Sequence, residues 1–321
     1  MINTDIISRF QYVAERYADE KALTYKNESY TYRELNRITD TVAKIIGKYT
    51  KPGMVVGIFL DKSAEYVISI LAILKAGCTY LPLDSLYPVT RIQTMLEDSG
   101  CKVVVSKQER NDIEAKIIHV DESKSVHVET WENKAEQEMQ YKDANGETAT
   151  HKYPQVHYPY IIYTSGSTGS PKGIRIEGEA VLNLAEQMSI QLQCSYGRKR
   201  IAMISPFVFD VSVGQMYMAL LYGNELVIVP DDVKYSLVLL TELLSKNKIY
   251  CCDFTPTRLE LQVSYYEKHR MQHFYPDIIV SVGEPISVGL AKRVTEAKGC
   301  STRIFNYYGP SEICGYCAYH E

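Results

Sequence analysis

Residues 55–77 read VVGIFLDKSAEYVISILAILKAG, and the fold class follows from how that run divides. Val55–Leu60 is a short apolar run rich in β-branched residues, the pattern of a buried strand. From Ser63 the apolar residues continue well beyond strand length, so the run becomes a helix. Gly77 ends it, because the position after the last turn takes a left-handed backbone that glycine adopts without strain. The stretch Tyr66–Ala76 is the longest apolar one, contains Ser69 and Lys75, and falls short of the ~20 residues that cross a bilayer. A buried strand feeding a helix is the repeating unit of a parallel, helix-covered sheet.

The alternation extends in both directions. Ile6, Phe10, Val13, Ala14 and Tyr17 fall at helical spacing within Asp5–Glu20. Ala22–Tyr25 and Ser29–Thr31 read as a hairpin about Lys26-Asn27, and Thr31 with Glu34 forms a capping box that opens a helix to about Lys48. Pro88 reads as the first-turn proline of a helix to Gly100, followed by a buried strand at Lys102–Ser106. Residues from about 108 to 153 are polar and aperiodic, a surface excursion. Tyr158–Thr164 restores the strand pattern, and further strands fall near Arg200–Ser205, Glu225–Val229, Tyr250–Thr255, Asp277–Val282 and Thr302–Tyr307. These predict an α/β fold of two stacked βα subdomains with parallel, helix-covered sheets, residues 1–175 and 176–321. Ligands of such folds bind beyond the carboxyl ends of the strands.

Composition narrows the function classes. The 321 residues carry 35 Lys plus Arg against 39 Asp plus Glu, a net charge of −4, so no basic surplus argues for nucleic acid. The start, Met1 to Ile7, lacks a signal-peptide pattern, and a cytoplasmic protein is expected. The 8 cysteines suit a reducing compartment. Cys314-Gly-Tyr-Cys317 matches a redox or half-zinc spacing, but no second such pair exists and no thioredoxin-like unit follows it, so the bland reading is preferred.

Beyond the strand Tyr160–Tyr163, residues 164–173 read TSGSTGSPKG, with five hydroxyls, three glycines and one lysine. Glycines let backbone amides approach an anion, hydroxyls donate to phosphate oxygens, and lysine supplies charge. The glycine-to-lysine spacing is not that of a Walker A loop. A flexible Ser/Gly connector is the alternative, although a connector needs no lysine and proline beside a buried strand.

The run YTSGSTGSPKG resembles the signature of the adenylate-forming superfamily, specifically the adenylation domains of nonribosomal peptide synthetases. Leu74–Asp84, LKAGCTYLPLD, resembles that family's LKAG-x-Y-x-P-x-D segment, and Tyr87-Pro88 and Arg91-Ile92 match the family's next residues. Phe209-Asp-Val-Ser212 is similar to FD-x-S, and Asn306-Tyr-Tyr-Gly-Pro-Ser-Glu312 to N-x-YGPTE with Ser for Thr. The motifs occur in the family's order.

The resemblance implies a two-step ligase: a carboxylate attacks the α-phosphate of ATP with Mg²⁺, and a carrier-protein phosphopantetheine thiol then takes the acyl group. No protein nucleophile is needed, in keeping with the lack of a recognisable Ser/His/Asp or Cys/His set. Thr164, Ser165, Gly166, Ser167, Thr168, Gly169 and Lys172 would hold the β- and γ-phosphates. Glu312 would bind Mg²⁺, although a helix-start carboxylate is its alternative. Ser311 would donate to the α-phosphate, and Glu312, Ser311 and Lys172 form the catalytic set. Tyr308 would lie on adenine, Asn306 at its amino edge, and Gly283 and Glu284 in the other adenine-side loop. Without the motif, Tyr308 is one of 26 tyrosines.

Asp210 would pair with the substrate α-ammonium, which aryl- and fatty-acid ligases of the superfamily have no need to bind. A helix N-cap is its alternative. Val211, Gly214, Thr257, Val280, Val282, Tyr307, Gly315 and Tyr316 would line the side-chain pocket. None is charged, so a free amino acid with a neutral side chain is expected. The family continues past the fourth motif with a ribose-binding Asp and a C-terminal domain bearing a lysine. On that pattern a truncated core is expected, impaired alone as a catalyst. With Met1 directly ahead of the first helix, an initiation module or a free-standing enzyme is expected. An acyl- or aryl-CoA ligase, or a non-catalytic nucleotide- or amino acid-binding fragment, stays open beside amino acid activation.

Overall fold

The computed structural model describes residues 5–108, 110–119, 153–165, 171–195, 198–269, 275–297 and 301–321. The chain divides into two compact units, Met1–Asp19 with Thr31–Ala180, and Glu20–Tyr30 with Val181–Glu321. The early strands β1 (Lys21–Tyr25) and β2 (Glu28–Thr31) therefore belong to the second unit.

The first unit begins with α1 (Ile6–Arg16), capped by Asp5, whose carboxylate accepts from the Ser8 amide at 2.9 Å. The next helix, α2 (Tyr32–Gly47), opens with the capping box expected at Thr31 and Glu34. After it come β3 (Val55–Phe59), α3 (Ala64–Lys75), β4 (Thr79–Pro82), α4 (Val89–Ser99), β5 (Val103–Ser106), β6 (Lys116–His119), β7 (Tyr160–Ser165) and β8 (Pro171–Ile176). They form one sheet in the order β6-β5-β3-β4-β7-β8, parallel except for the β7–β8 pair. Pro88 sits one residue outside α4, at its N-cap.

The LKAG segment is a structural device in this unit. Helix α3 is buried at every position but Glu65, so Lys75 must bring its charge into the core. Its ammonium donates to the Asn36 carbonyl at 2.9 Å and to Asn36 Oδ1 and Asp40 Oδ1 at 2.6 Å, tying α3 to α2. Gly77 comes next with φ +75°, and a Cβ there would lie 2.7 Å from Pro154 Cβ. One of the sequence expectations changes here. Strand β6 lies inside the stretch read as a polar excursion, because Ile117 and Ile118 give it enough apolar surface to join β5. Residues 120–152 lie outside the described residues.

The second unit continues with α5 (Gly178–Gln191), β9 (Arg200–Met203), α6 (Val211–Leu220), β10 (Glu225–Ile228), α7 (Asp231–Lys234), α8 (Leu237–Lys246), β11 (Cys251–Phe254), α9 (Pro256–His269), β12 (Ile278–Ser281), α10 (Val288–Thr295), β13 (Arg303–Tyr308), a 3₁₀ turn at Ser311–Ile313 and β14 (Ala318–His320). The sheet order is β14-β13-β12-β11-β9-β10-β1-β2. Strands β11, β12 and β13 pair in parallel, with Asp253, Val280 and Phe305 in one cross-strand row. Side chains alternate across the sheet. Cys252, Phe254, Ile279 and Ile304 pack with Leu259, Val263, Leu290 and Val294 into one core cluster, whereas Asp253, Val280 and Phe305 alternate to the other face. Among the described residues no helix is long and apolar enough to cross a membrane.

Candidate functional site

The carboxyl ends of β9, β11 and β12 meet the start of α6, and a cavity of about 410 Å³ opens there within the second unit. Ile204, Phe209, Val211, Phe254 and Val282 give it apolar walls, and Asp210 and Asp253 bring two carboxylates to it. Lys234, Tyr235 and Arg258 also line it.

Asp210 occupies the N-cap position of α6 without acting as a cap. Its backbone is already helical, φ −58° and ψ −26°, and its side chain makes no capping bond. The capping alternative is thus not realised, and a half-buried carboxylate is left at the cavity. Gly315 lies beside it, since a Cβ there would be 3.7 Å from Asp210 Cγ.

The remaining expected pocket residues divide. Val211 and Val282 line the cavity with Asp210. Gly214 leaves room for its neighbours: a Cβ would lie 2.7 Å from Met188 Sδ and 3.4 Å from Tyr316 Cε2. The Tyr307 and Tyr316 rings meet edge-on with centroids 5.0 Å apart. The Tyr307 hydroxyl donates to Gln191 Oε1 at 2.6 Å, and burial raises its pKa. The Tyr316 hydroxyl is pushed well above its ordinary value, first by burial and then by the Asp253 and Asp210 carboxylates. Val280 is buried in the row of Asp253. Thr257, like Gly214, Val280, Tyr307, Gly315 and Tyr316, does not line the cavity. It is exposed, and its amide and hydroxyl donate to Glu284 Oε2 at 3.0 and 2.5 Å, so Glu284 satisfies the start of α9.

The residues expected at adenine and Mg²⁺ sit at the end of β13. Asn306 pairs in register with Ser281 and His320. Tyr308 leaves its ring 72% exposed, and Gly283 comes after β12 with φ +80°. Ser311 and Glu312 form the 3₁₀ turn, Glu312 exposed and without an ion pair among the described residues. Gly309 makes that turn possible, because a Cβ would lie 2.6 Å from Tyr316 Cα and 2.9 Å from Cys317 N. Cys314 is buried and Cys317 exposed, and neither is in a disulfide.

In the first unit, Thr164 and Lys172 are cross-strand partners in the β7–β8 hairpin, as are Ser165 and Pro171. Lys172 stands exposed on a strand rather than within the loop. Gly166, Ser167, Thr168 and Gly169 lie outside the described residues.

Asp253 was missed by the sequence reasoning. Its signal is a lone charge in the apolar run Cys251-Cys-Asp-Phe254, where a parallel strand buried on both faces tolerates a carboxylate only for a reason.

The sequence pattern described as AMP-binding enzyme matches residues 10–321. The chain belongs to that family. Bacitracin synthase 1 of Bacillus licheniformis is 32% identical over 97% of the chain and 6% of its own length. The chain spans 5% of tyrocidine synthase 3 and 26% of tyrocidine synthase 1, both of Brevibacillus parabrevis. The N-terminal subdomain of Klebsiella oxytoca NpsA in complex with 3-hydroxybenzoyl-AMSN superposes with a TM-score of 0.79 at 23% identity, over 98% of this chain and 75% of that one. An artificially fused adenylation–PCP di-domain, NpsA-ThdA from the same organism, gives 0.80 at 22% identity, over 98% and 59%. These structures share the fold of this AMP-binding family member, an α/β core with two parallel-rich sheets.

Proposed function

We propose that the chain activates a free amino acid with ATP to an aminoacyl-adenylate, for transfer to the phosphopantetheine thiol of a carrier protein. The observation that carries this reading is Asp210, a half-buried carboxylate that caps nothing, lines a largely apolar-walled cavity and has no ion pair among the described residues. Such a group is matched by a cation, and the α-ammonium is the cation that every amino acid brings.

An oxygen of the amino acid carboxylate attacks the α-phosphorus of ATP. The bond to the bridging oxygen breaks and pyrophosphate leaves. The carrier thiol then attacks the acyl carbon and AMP departs. Positioning and charge compensation are what the protein contributes. The exposed Tyr308 ring offers a stacking face for adenine, Asn306 its amide, and Ser311 a hydroxyl donor for the α-phosphate. Glu312, exposed and outside any described ion pair, suits a hydrated Mg²⁺, which when bound offsets the charge of the phosphates. Thr164 and Lys172, at the open end of the hairpin, would bind phosphate oxygens.

A second reading, an aryl or acyl ligase, is favoured by the neighbour solved with 3-hydroxybenzoyl-AMSN. Asp210 opposes it, because such an acid leaves that carboxylate without a cation. ATP–pyrophosphate exchange with amino acids and their des-amino counterparts decides between them. Exchange only with amino acids is expected, and exchange only with des-amino acids would overturn the proposal.

A further inference from the structure

Binding an α-ammonium needs one carboxylate, yet the cavity has two. Asp253 is 4% exposed and stands in β11 between Cys252 and Phe254. Its oxygens accept from the Ile204 amide at 3.3 Å and from the Ser205 hydroxyl. Both donors are neutral, and among the described residues Asp253 has no ion pair. Two basic residues also line the cavity, and neither forms an ion pair with Asp253 among the described residues, although Arg258 Nε is buried without a hydrogen-bond partner. Arg258 Nη2 donates to the Lys234 carbonyl at 2.6 Å, and the Lys234 ammonium lies 5.2 Å from the centroid of the exposed Tyr235 ring.

The two carboxylates also act on one point. The Tyr316 hydroxyl is held neutral by burial and then by Asp253 and Asp210 together, so both lie within electrostatic reach of a single oxygen. A buried carboxylate facing apolar walls is strongly unfavourable unless a cation meets it. An apolar side chain in this cavity would put no donor against Asp253, whereas a cationic one would answer its charge.

We propose that Asp253 determines side-chain specificity and that the activated amino acid carries a second cationic nitrogen, with its α-ammonium on Asp210 and its side-chain cation on Asp253. The inference rests on the reading of the chain as an amino acid activator. It replaces the expectation of a neutral side chain, which came from the pocket positions without Asp253.

Isothermal titration of the chain with isosteric pairs tests it: L-2,4-diaminobutyrate against L-norvaline, L-ornithine against L-norleucine, and L-lysine against L-2-aminoheptanoate, with L-arginine and L-histidine alongside. At least one cationic member should bind ten- to a hundred-fold more tightly than its neutral partner, the range of one charge-assisted bond. Asp253→Asn keeps an acceptor for the Ile204 amide and removes the charge, so it should abolish that preference while leaving the affinity of the neutral partner within about threefold. Wild-type chain that binds the neutral partner as tightly in every pair overturns the proposal, whatever the variant does, and leaves amino acid activation standing. Binding confined to acids without an α-amino group overturns activation itself. Binding by none of these compounds overturns both.

Discussion

Asp210→Asn and Asp210→Ala together separate two roles that the sequence left joined. As a working N-cap, Asp210 would contribute about 0.5–2 kcal/mol to stability, which alanine would remove and asparagine would retain. The structure gives it a helical backbone and no capping bond, so substitution has no cap to remove. The expected stability change is within about 0.5 kcal/mol, the ordinary range for a site without a structural task. Ligand binding should behave differently. Asparagine keeps size and one acceptor but removes the charge that meets the α-ammonium, which costs about 1.5–3 kcal/mol, or ten- to a hundred-fold in amino acid affinity. ATP affinity should stay within about twofold. Titrating wild type and Asp210→Asn with an amino acid and its des-amino analogue closes a double-mutant cycle in which the ligand supplies one partner. The des-amino acid should bind the wild type poorly and lose little more in the variant. A loss of more than about 1 kcal/mol of stability in Asp210→Ala, with amino acid affinity unchanged in Asp210→Asn, would refute the reasoning, because Asp210 would then serve the helix.

Other perturbations test the frame around the sites. Lys75→Met should destabilise the chain by about 3–5 kcal/mol in urea unfolding, because Asp40 loses its buried cation, and adding Asp40→Asn should recover part of that loss. Unchanged stability in the single variant would remove the ion pair as the link between α2 and α3. Lys172→Ala should weaken ATP binding in titration without shifting the melting temperature, since the residue is exposed. A lowered melting temperature with intact ATP affinity would make it structural. Burial raises the Cys101 thiol to about 11 from an ordinary 9.0, so the fold favours the neutral form. Its contribution, on the order of 2–3 kcal/mol, is complete below pH 9 and is lost as pH climbs from 9 to 11. Cys101→Ala should flatten the fall of stability across that window, and an unaltered slope would contradict the burial argument.

Periodicity carried most of the fold. Val55–Phe59, Ala64–Lys75 and the strands of the second sheet announce themselves by short apolar runs and punctuating glycines. Three features were hidden for physical reasons. Strand β6 has few apolar residues of its own and forms by pairing with β5, a non-local contact. Strand β8 begins with Pro171 and contains Gly173, both read as loop signals, and pairing with β7 overrides them. Strands β1 and β2 join a sheet whose partner β10 lies some two hundred residues later, with Leu23 beside Leu226. Thr257 shows the limit of counting positions along a motif: the helix start at Pro256 turns it toward Glu284.

Lys75 and Asp253 present the same anomaly in sequence, one charge inside an apolar element, and the structure resolves them in opposite ways. Lys75 is 0% exposed and reaches a carboxylate and two amide-type oxygens from the neighbouring helix. All three donors of its ammonium are thereby used, and its charge is answered within the fold. Asp253 is 4% exposed and reaches two neutral donors, with a cavity of about 410 Å³ beside it. A carboxylate has about four acceptor directions, so two bonds leave capacity unused and a charge unanswered. A buried charge with a protein counter-ion is part of the architecture, while one that meets only neutral donors at the edge of a cavity is the kind of group that the proposal matches to a ligand cation. Sequence alone shows the charge but not the counter-ion, which is why Asp253 went unread along the chain and only the packing separates Lys75, tied into the core, from Asp253, proposed to meet a ligand.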